Sequence, residues 1–145
     1  MATRISTFYL DRLWFGLDVD HVQEVIRYQE ITPVPLAPAM VRGLINVRGQ
    51  IMTALDLRQR MGLPDRPANK RPMNLVIRGS DEAVSLLVDD IGEVCEVDDS
   101  MFEPPPSTLQ GAARDLICGA YKLRDELLIV LDAEKAMTLK QGNSA

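Results

Sequence analysis

Short apolar runs separated by turn-forming residues dominate the hydrophobic pattern of the chain. Residues 5–10 and 13–17 flank Asp11-Arg12, and residues 43–47 and 50–55 flank Arg48-Gly49. Similar pairs occupy residues 75–77 and 83–88, and residues 117–123 and 126–131. Paired strands with a short polar turn between them are typical of antiparallel hairpins, and glycine tolerates the positive φ that a tight turn requires. The pattern therefore predicts four hairpins and a mainly β fold.

Helix signals are few and short. Asp18 precedes residues 19–22, Asp56 precedes residues 57–61 with Gly62 after them, and Asp132 precedes residues 133–139. An aspartate at the start and a glycine at the end are the usual caps of a helix. We expect one or two helical turns at each place, including a short helix at the C-terminus.

Two stretches interrupt the pattern, residues 62–72 and residues 98–115, and both are rich in turn-forming residues. Neither is predicted to be a domain linker, because the chain on either side is too short to bury a core of its own. We expect residues 1–145 to form a single domain with a compact β-barrel-like fold, built as two small interlocked barrels.

The composition is that of an ordinary globular domain. Of the 145 residues, 46% are hydrophobic, 26% are charged and only 5% are aromatic, so the core is aliphatic. A net charge of −5 argues against nucleic acid or anionic lipid as the main partner. Residues 31–41 are an early uncharged run, but three prolines interrupt it, and no segment is predicted to insert into a membrane.

The charges are unevenly distributed. Residues 42–71 carry seven basic and two acidic side chains, whereas residues 81–103 carry nine acids and no base. Either these segments attract each other, or they form two differently charged surfaces for different partners. Because the basic segment contains the hairpin around Arg48, we favour two surfaces.

Candidate catalytic residues are scarce. His21 is the only histidine, and the sequence has no phosphate-binding loop, dinucleotide fingerprint or nucleophile elbow. Cys95 and Cys118 lie in apolar surroundings without a CxxC motif, which favours buried, reduced thiols in the cytoplasm.

The acidic pairs Asp89-Asp90 and Asp98-Asp99 suit a solvated rim better than a shared ligand, since adjacent strand residues face opposite ways. A small enzyme that uses such carboxylates stays as an alternative. We expect no catalytic residue, no metal and no cofactor.

The most distinctive region surrounds the central hairpin. Residues 32–38 are uncharged and proline-rich, which predicts a stiff, extended loop with accessible apolar side chains. Arg48 follows at a hairpin tip, where a guanidinium either is simply solvated or recognises a carboxylate.

These residues resemble the CheW family of chemotaxis coupling proteins. The resemblance runs from about residue 7 to residue 139 and rests on motifs in the family's order and spacing. They are residues 15–27, 31–38, 41–51, 54–58 and 86–94, followed by Pro104-Pro105 and residues 127–132. The resemblance implies two intertwined five-stranded SH3-like barrels that share a hydrophobic core.

The resemblance also implies a non-catalytic, cytoplasmic adaptor recruited to membrane-associated receptor arrays. Its partners are then the cytoplasmic tip of a chemoreceptor and the regulatory domain of the histidine kinase CheA, with ring assembly among CheW-like domains as a further possibility. An alternative is a CheW-like scaffold in a non-flagellar pathway for surface motility, pili or second-messenger signalling.

The family's partner-binding positions fall on six residues of this chain. Glu24 and Arg48 match partner-binding surface, Arg42 and Gly43 match positions associated with coupling and kinase contact, and Val22 and Val94 match apolar positions of the receptor groove. Structural roles compete in three cases: Glu24 and Arg48 carry opposite charges and can pair, Gly43 can be required for lack of space, and the valines can be core residues.

Overall fold

The computed structural model describes residues 2–79, 82–105 and 111–138, and this part of the chain is mainly β. The strands are β1 (Ala2–Leu10), β2 (Leu13–Asp18), β3 (Val22–Ile26), β4 (Val41–Val47), β5 (Gln50–Asp56), β6 (Met73–Arg78), β7 (Ala83–Val88), β8 (Asp90–Asp98), β9 (Phe102–Glu103), β10 (Ile117–Leu123) and β11 (Glu126–Leu131). The helices are α1 (Leu57–Met61), α2 (Ala112–Leu116) and α3 (Ala133–Met137), with 3-10 turns at Val19–His21 and Asp99–Met101.

The strands form two sheets with interlocked chain paths. The first sheet has the order β8-β1-β2-β11-β10-β9, and the second has the order β3-β6-β7-β5-β4. The chain leaves the first sheet after β2, builds the whole second sheet, and returns with β8. Each sheet contains one parallel pair, β2 with β11 and β5 with β7, and its other neighbours are antiparallel.

This architecture confirms the predicted pair of interlocked SH3-like barrels. The second sheet has the expected five strands, and the first gains a sixth, the two-residue β9. All four predicted hairpins are present. At the β4–β5 turn both Arg48 (φ 53°) and Gly49 (φ 87°) adopt the left-handed conformation, as tight hairpin turns that match strand twist require.

One hydrophobic cluster joins the two sheets. Both sheets contribute side chains that are almost wholly buried, including Phe8 and Phe15 from the first and Leu55, Leu75 and Leu86 from the second. Residues of all three short helices also belong to this cluster or pack against it. The shared core therefore ties both sheets into one folding unit.

The three predicted helix caps are in place. The carboxylates of Asp18, Asp56 and Asp132 accept hydrogen bonds from backbone N–H groups at the start of their helical turns, and Gly62 ends α1 with φ 77°. Residues 98–115, expected to be irregular, contain β9 and α2. This expectation was wrong because β9 needs only two paired residues and α2 packs beside α1 and α3.

Asp89 lies between β7 and β8 and is buried, not part of a solvated rim as the sequence suggested. Its carboxylate accepts hydrogen bonds from Arg58 (Nε to Oδ1, 3.0 Å) and Arg66 (Nε to Oδ1, 2.7 Å). It also accepts one from the backbone N–H of Asp11, at 2.7 Å. We call Asp89 and these two arginines the Asp89 cluster. It links the β1–β2 turn of the first sheet to α1 of the second.

The oppositely charged segments therefore meet each other. Besides the Asp89 cluster, Lys70 Nζ lies 2.9 Å from Asp90 Oδ1 at the surface. The expectation of two differently charged surfaces was wrong for these residues, because β5 pairs with β7 and so brings the segment after β5 beside the one after β7. At these residues the basic and acidic segments attract each other, which is the other of the two possibilities that the sequence allowed.

The cysteines are less buried than predicted. Both thiols are free, but Cys95 is half-buried and Cys118 is exposed. Cys118 lies on β10 between the buried residues Ile117 and Gly119, so regular strand alternation turns its side chain outward. Cys95 lies on β8, which ends the first sheet.

Candidate partner-binding surface

The β4–β5 hairpin lies at one edge of the second sheet and displays a polar and apolar outer face. Along β4 the side chains alternate, with Ile45 and Val47 buried and Leu44 exposed. On the facing strand Ile51 is 59% exposed. Because the inward positions already supply the core, the outward ones contribute little to folding and are available to a partner.

Arg48 at the tip of this hairpin pairs with Glu24. Arg48 Nη1 lies 2.5 Å from Glu24 Oε1, and the Arg48 side chain is 75% exposed. Glu24 is on β3, the strand at the opposite edge of the same sheet, so the ion pair spans the two sheet edges. Glu24 and Arg48 therefore form the ion pair that their opposite charges allowed.

This pairing is compatible with recognition. An exposed ion pair is worth about 0–1 kcal/mol, so folding does not depend on it. Glu24 restrains the guanidinium, and within the described residues no other side-chain bond of Arg48 is recorded. The remaining N–H donors are accessible to an acceptor on another protein.

Gly43 is confined by the loop that precedes the hairpin. Thr32 pairs with Leu44 through hydrogen bonds of 2.9 and 2.8 Å, which brings the loop across β4. Gly43 has φ 149°, and an added Cβ would collide with the Thr32 carbonyl and lie 2.8 Å from Ile31 Cγ2. Gly43 is therefore required for lack of space, which is the structural role that the sequence left open.

Arg42 lies at the far end of the hairpin from Arg48. Its Nε lies 2.8 Å from the buried carboxylate of Asp56, and its side chain is 41% exposed. Arg42 thus faces the start of α1, and it does not join the Arg48–Glu24 pair. A partner that contacts Arg42 would also contact the α1 end of the second sheet.

The two valines lie on different sheets. Val22 begins β3 and is half-buried against the shared core. Val94 is on β8 in the first sheet, opposite Ser6, and is 48% exposed. Val94 is accessible to a partner as it stands, whereas Val22 presents only part of its side chain.

Several exposed apolar residues beside the hairpin were not singled out from the sequence. Leu44 and Ile51 are on its outer face, and the proline-rich loop exposes Val34 by 39% and Leu36 completely. The accessible loop was predicted, but Leu44 and Ile51 were not. Strict alternation along β4 and β5 is the signal that would have found them. We call Glu24, Leu44, Arg48 and Ile51 the hairpin surface.

His21 and Cys118 are two described side chains of types that can take part in catalysis. His21 is exposed, and no group of three or more His, Cys, Asp or Glu side chains is placed to hold a metal ion in the described part of the chain. Although Cys118 is exposed as a residue, partial desolvation of its thiol and the charge of Asp132 raise the pKa of that thiol, which disfavours the nucleophilic thiolate. Among residues 2–79, 82–105 and 111–138, no helix is long and apolar enough to cross a membrane.

Comparison with known proteins places this geometry in a family. A family model described as the CheW-like domain matches residues 4–141. The chain belongs to the CheW-like family. A chemotaxis protein CheW from Treponema pallidum is 28% identical over 142 residues, covering 95% of this chain and 84% of that protein. A chemotaxis protein CheW from Bacillus subtilis is 26% identical over 142 residues, covering 98% and 91%.

A solved CheW structure has the same fold. The crystal structure of the scaffolding protein TtCheW from Thermoanaerobacter tengcongensis superposes with a TM-score of 0.82 at 30% identity, covering 91% of this chain and 90% of that one. This chain and TtCheW therefore share one fold over most of their lengths.

Proposed function

We propose that this protein is a chemotaxis adaptor that binds a chemoreceptor tip and the regulatory domain of a CheA-type histidine kinase, and performs no chemistry itself. The observation that carries the proposal is the hairpin surface, where an exposed arginine with spare donors lies on the same hairpin as the exposed side chains of Leu44 and Ile51. Family membership supports the adaptor role. On this proposal the protein is cytoplasmic and is recruited to receptor arrays.

The hairpin surface is the kinase-binding side in this proposal. Leu44 and Ile51 supply apolar area, and Arg48 supplies directional hydrogen bonds to a carboxylate. Binding surfaces typically combine an apolar centre with an arginine in this way. Arg42 and Gly43 act on the same strand, Arg42 through accessible charge and Gly43 by allowing the loop to cross β4.

Val94 and Val22 form the receptor-binding side in this proposal. A chemoreceptor tip is a helical hairpin bundle, and a helix docks by placing an apolar ridge against an apolar surface. Val94 offers an exposed apolar side chain on the first sheet, and Val22 lies at the start of β3, directly after the 3-10 turn that follows β2.

The fold holds the two proposed sides in a fixed relation. The shared core and the Asp89 cluster join the first sheet to the second. An adaptor that binds two partners lowers the entropic cost of bringing them together, and a rigid connection lets a change at one partner reach the other.

The decisive experiment is a charge exchange between Glu24 and Arg48. The kinase regulatory domain and a receptor-tip fragment are tested separately for binding to wild type, Arg48→Glu, and the double variant Glu24→Arg with Arg48→Glu. Arg12→Glu is the matched control, since Arg12 is also exposed and lies in a hairpin turn. Binding is measured by calorimetry, and thermal unfolding of each variant is recorded.

We expect Arg48→Glu to weaken kinase binding at least about tenfold, which corresponds to about 1.4 kcal/mol. The double variant restores an ion pair but not the arginine at the tip, so it should stay defective. The melting temperature should fall by no more than about 4 °C, as expected for an exposed pair. Restored binding in the double variant would show that the pair is structural and contradict the recognition role.

A further inference from the structure

A cavity of about 640 Å³ opens in the first sheet, away from the hairpin surface. It lies between β8 and the end of the β10–β11 hairpin, and its size is within the usual range for ligand sites. Its lining includes Tyr9 and Trp14 from β1 and β2, Ile91 and Glu93 from β8, and Leu123 from β10. An aromatic and aliphatic lining therefore meets an acidic rim.

Strand edges without a second neighbour border this cavity. Within the described residues, β8 pairs with β1 alone. On the other side, β9 pairs with β10 only at Ala120 and Tyr121, so Leu123 has β11 as its one strand neighbour there. An edge strand carries backbone donors and acceptors that a further strand can use.

The rim carries more negative than positive charge, although Arg4 on β1 lies opposite Glu96 in the strand register. Glu93, Glu96 and Glu126 line the cavity and are exposed, and no ion pair is recorded for them. Arg124 is the basic residue among the lining side chains. The neighbouring acids of the sequence are paired by contrast: Asp89 forms an ion pair with Arg58, and Asp90 forms one with Lys70.

The aromatic wall contains a buried donor without an acceptor. The indole Nε1 of Trp14 is buried and has no hydrogen-bond partner. A buried donor without an acceptor costs free energy. An extended peptide presents carbonyls together with side chains that alternate between two faces.

We propose that β8 and this cavity bind an extended, basic segment of a partner protein as an added β-strand. Backbone bonds to the β8 edge supply affinity, apolar side chains of the segment contact Trp14 and Ile91, and lysine or arginine side chains meet Glu93 and Glu96. The site is separate from the hairpin surface and does not depend on kinase binding there, but it shares Val94 of β8 with the proposed receptor-binding side.

A different role for the same glutamates makes an opposite prediction. Charged side chains on an edge strand also prevent copies of a protein from pairing edge to edge. If that is their role, removing the charge makes the protein self-associate, and no basic peptide binds the wild type.

The test uses a synthetic acetylated peptide of about eight residues that alternates lysine and valine, a length typical of a strand. A glutamate–valine peptide of equal length is the control. Trp14 is the only tryptophan in the chain, so its fluorescence reports occupation of the cavity directly. Hydrogen exchange then identifies the backbone amides that become protected.

We expect the lysine peptide to change Trp14 fluorescence, to protect β8 amides, and to bind more weakly as salt rises. Glu93→Lys with Glu96→Lys should weaken binding at least about tenfold. The matched control is Asp20→Lys with Glu134→Lys, two exposed acids on other elements, and it should bind as wild type does. Arg48→Glu should also leave this binding unchanged.

Three results would overturn the proposal. Equal binding of the glutamate peptide would remove the charge argument, and unchanged binding in the Glu93 and Glu96 double variant would remove the site. Absence of any binding at millimolar peptide, with self-association of that double variant, would assign the glutamates to edge protection.

Discussion

Replacing Asp89 by asparagine should destabilise the protein more than any exposed charge change. The Asp89 carboxylate is 4% exposed and accepts hydrogen bonds from Arg58, Arg66 and the Asp11 backbone. Asparagine keeps the shape but removes the negative charge between two guanidinium groups. Breaking a buried ion pair from one side costs about 3–5 kcal/mol. We expect the lower end of that range, because Arg66 keeps a second contact, 3.6 Å from Asp56 Oδ1.

The measurement is urea unfolding at neutral pH, followed by circular dichroism. We expect the free energy of unfolding to fall by about 3 kcal/mol or more and the melting temperature by about 10 °C. Asp90→Asn is the matched control, since Asp90 is the next residue and pairs with Lys70 at the exposed surface. It should cost about 0–1 kcal/mol.

The same contribution should depend on pH. Burial pushes the pKa of Asp89 upward, but hydrogen bonds from Arg58, the Asp11 N–H and Arg66 outweigh it and lower that pKa to about 2. A carboxylate with a lowered folded-state pKa stabilises the protein above its unfolded pKa and loses this effect as the pH falls towards the folded value. The stability difference between wild type and Asp89→Asn should therefore be constant above about pH 5 and shrink between about pH 4 and pH 2.

A loss below about 1 kcal/mol for Asp89→Asn, equal to that of Asp90→Asn, would refute this reasoning. So would a stability difference that does not change between about pH 5 and pH 2. Either result would mean that the two arginines find other partners or that water reaches the Asp89 cluster.

Two further changes test local features of the fold. Gly43→Ala should lower the free energy of unfolding by about 2 kcal/mol or more, because its Cβ meets the Thr32 carbonyl; urea unfolding checks this, and a neutral result would mean that the loop moves freely. Asp132→Ala should cost about 1 kcal/mol, since its carboxylate accepts a 3.1 Å hydrogen bond from the N–H of Lys135. Faster hydrogen exchange confined to α3 would support this assignment, and an unchanged rate would oppose it.

Local pattern was sufficient to predict most of the fold. Alternation and turn residues identified the hairpins because both signals are local. The alternation of a strand and the glycine of a tight turn depend only on residues that are close together in the sequence. The caps at Asp18, Asp56 and Asp132 follow from the same local chemistry. The interlocked arrangement of the barrels was supplied by the family resemblance rather than by the pattern.

Contacts between distant residues could not be predicted in this way. Asp89 is 31 residues from Arg58 and 23 from Arg66 in the sequence, and only the β5–β7 pairing brings them together. An aspartate pair in a sequence looks the same whether it is solvated or buried.

The candidate site was predicted in part. The positions of Arg48 at a hairpin tip and of the loop before it were readable from turn chemistry and prolines. The crossing of that loop over Gly43 was not, since Thr32 and Leu44 pair outside the regular strands. The partner roles of the six residues remain predictions that binding experiments must decide.

The proposed adaptor binds a kinase domain and a receptor tip at the same time on separate surfaces. The most direct measurement is analytical ultracentrifugation of this protein mixed with both fragments, alone and together. We expect a ternary complex, and Arg48→Glu should lose the kinase fragment while retaining the receptor fragment. Mutual exclusion of the two fragments, or loss of both in Arg48→Glu, would contradict it.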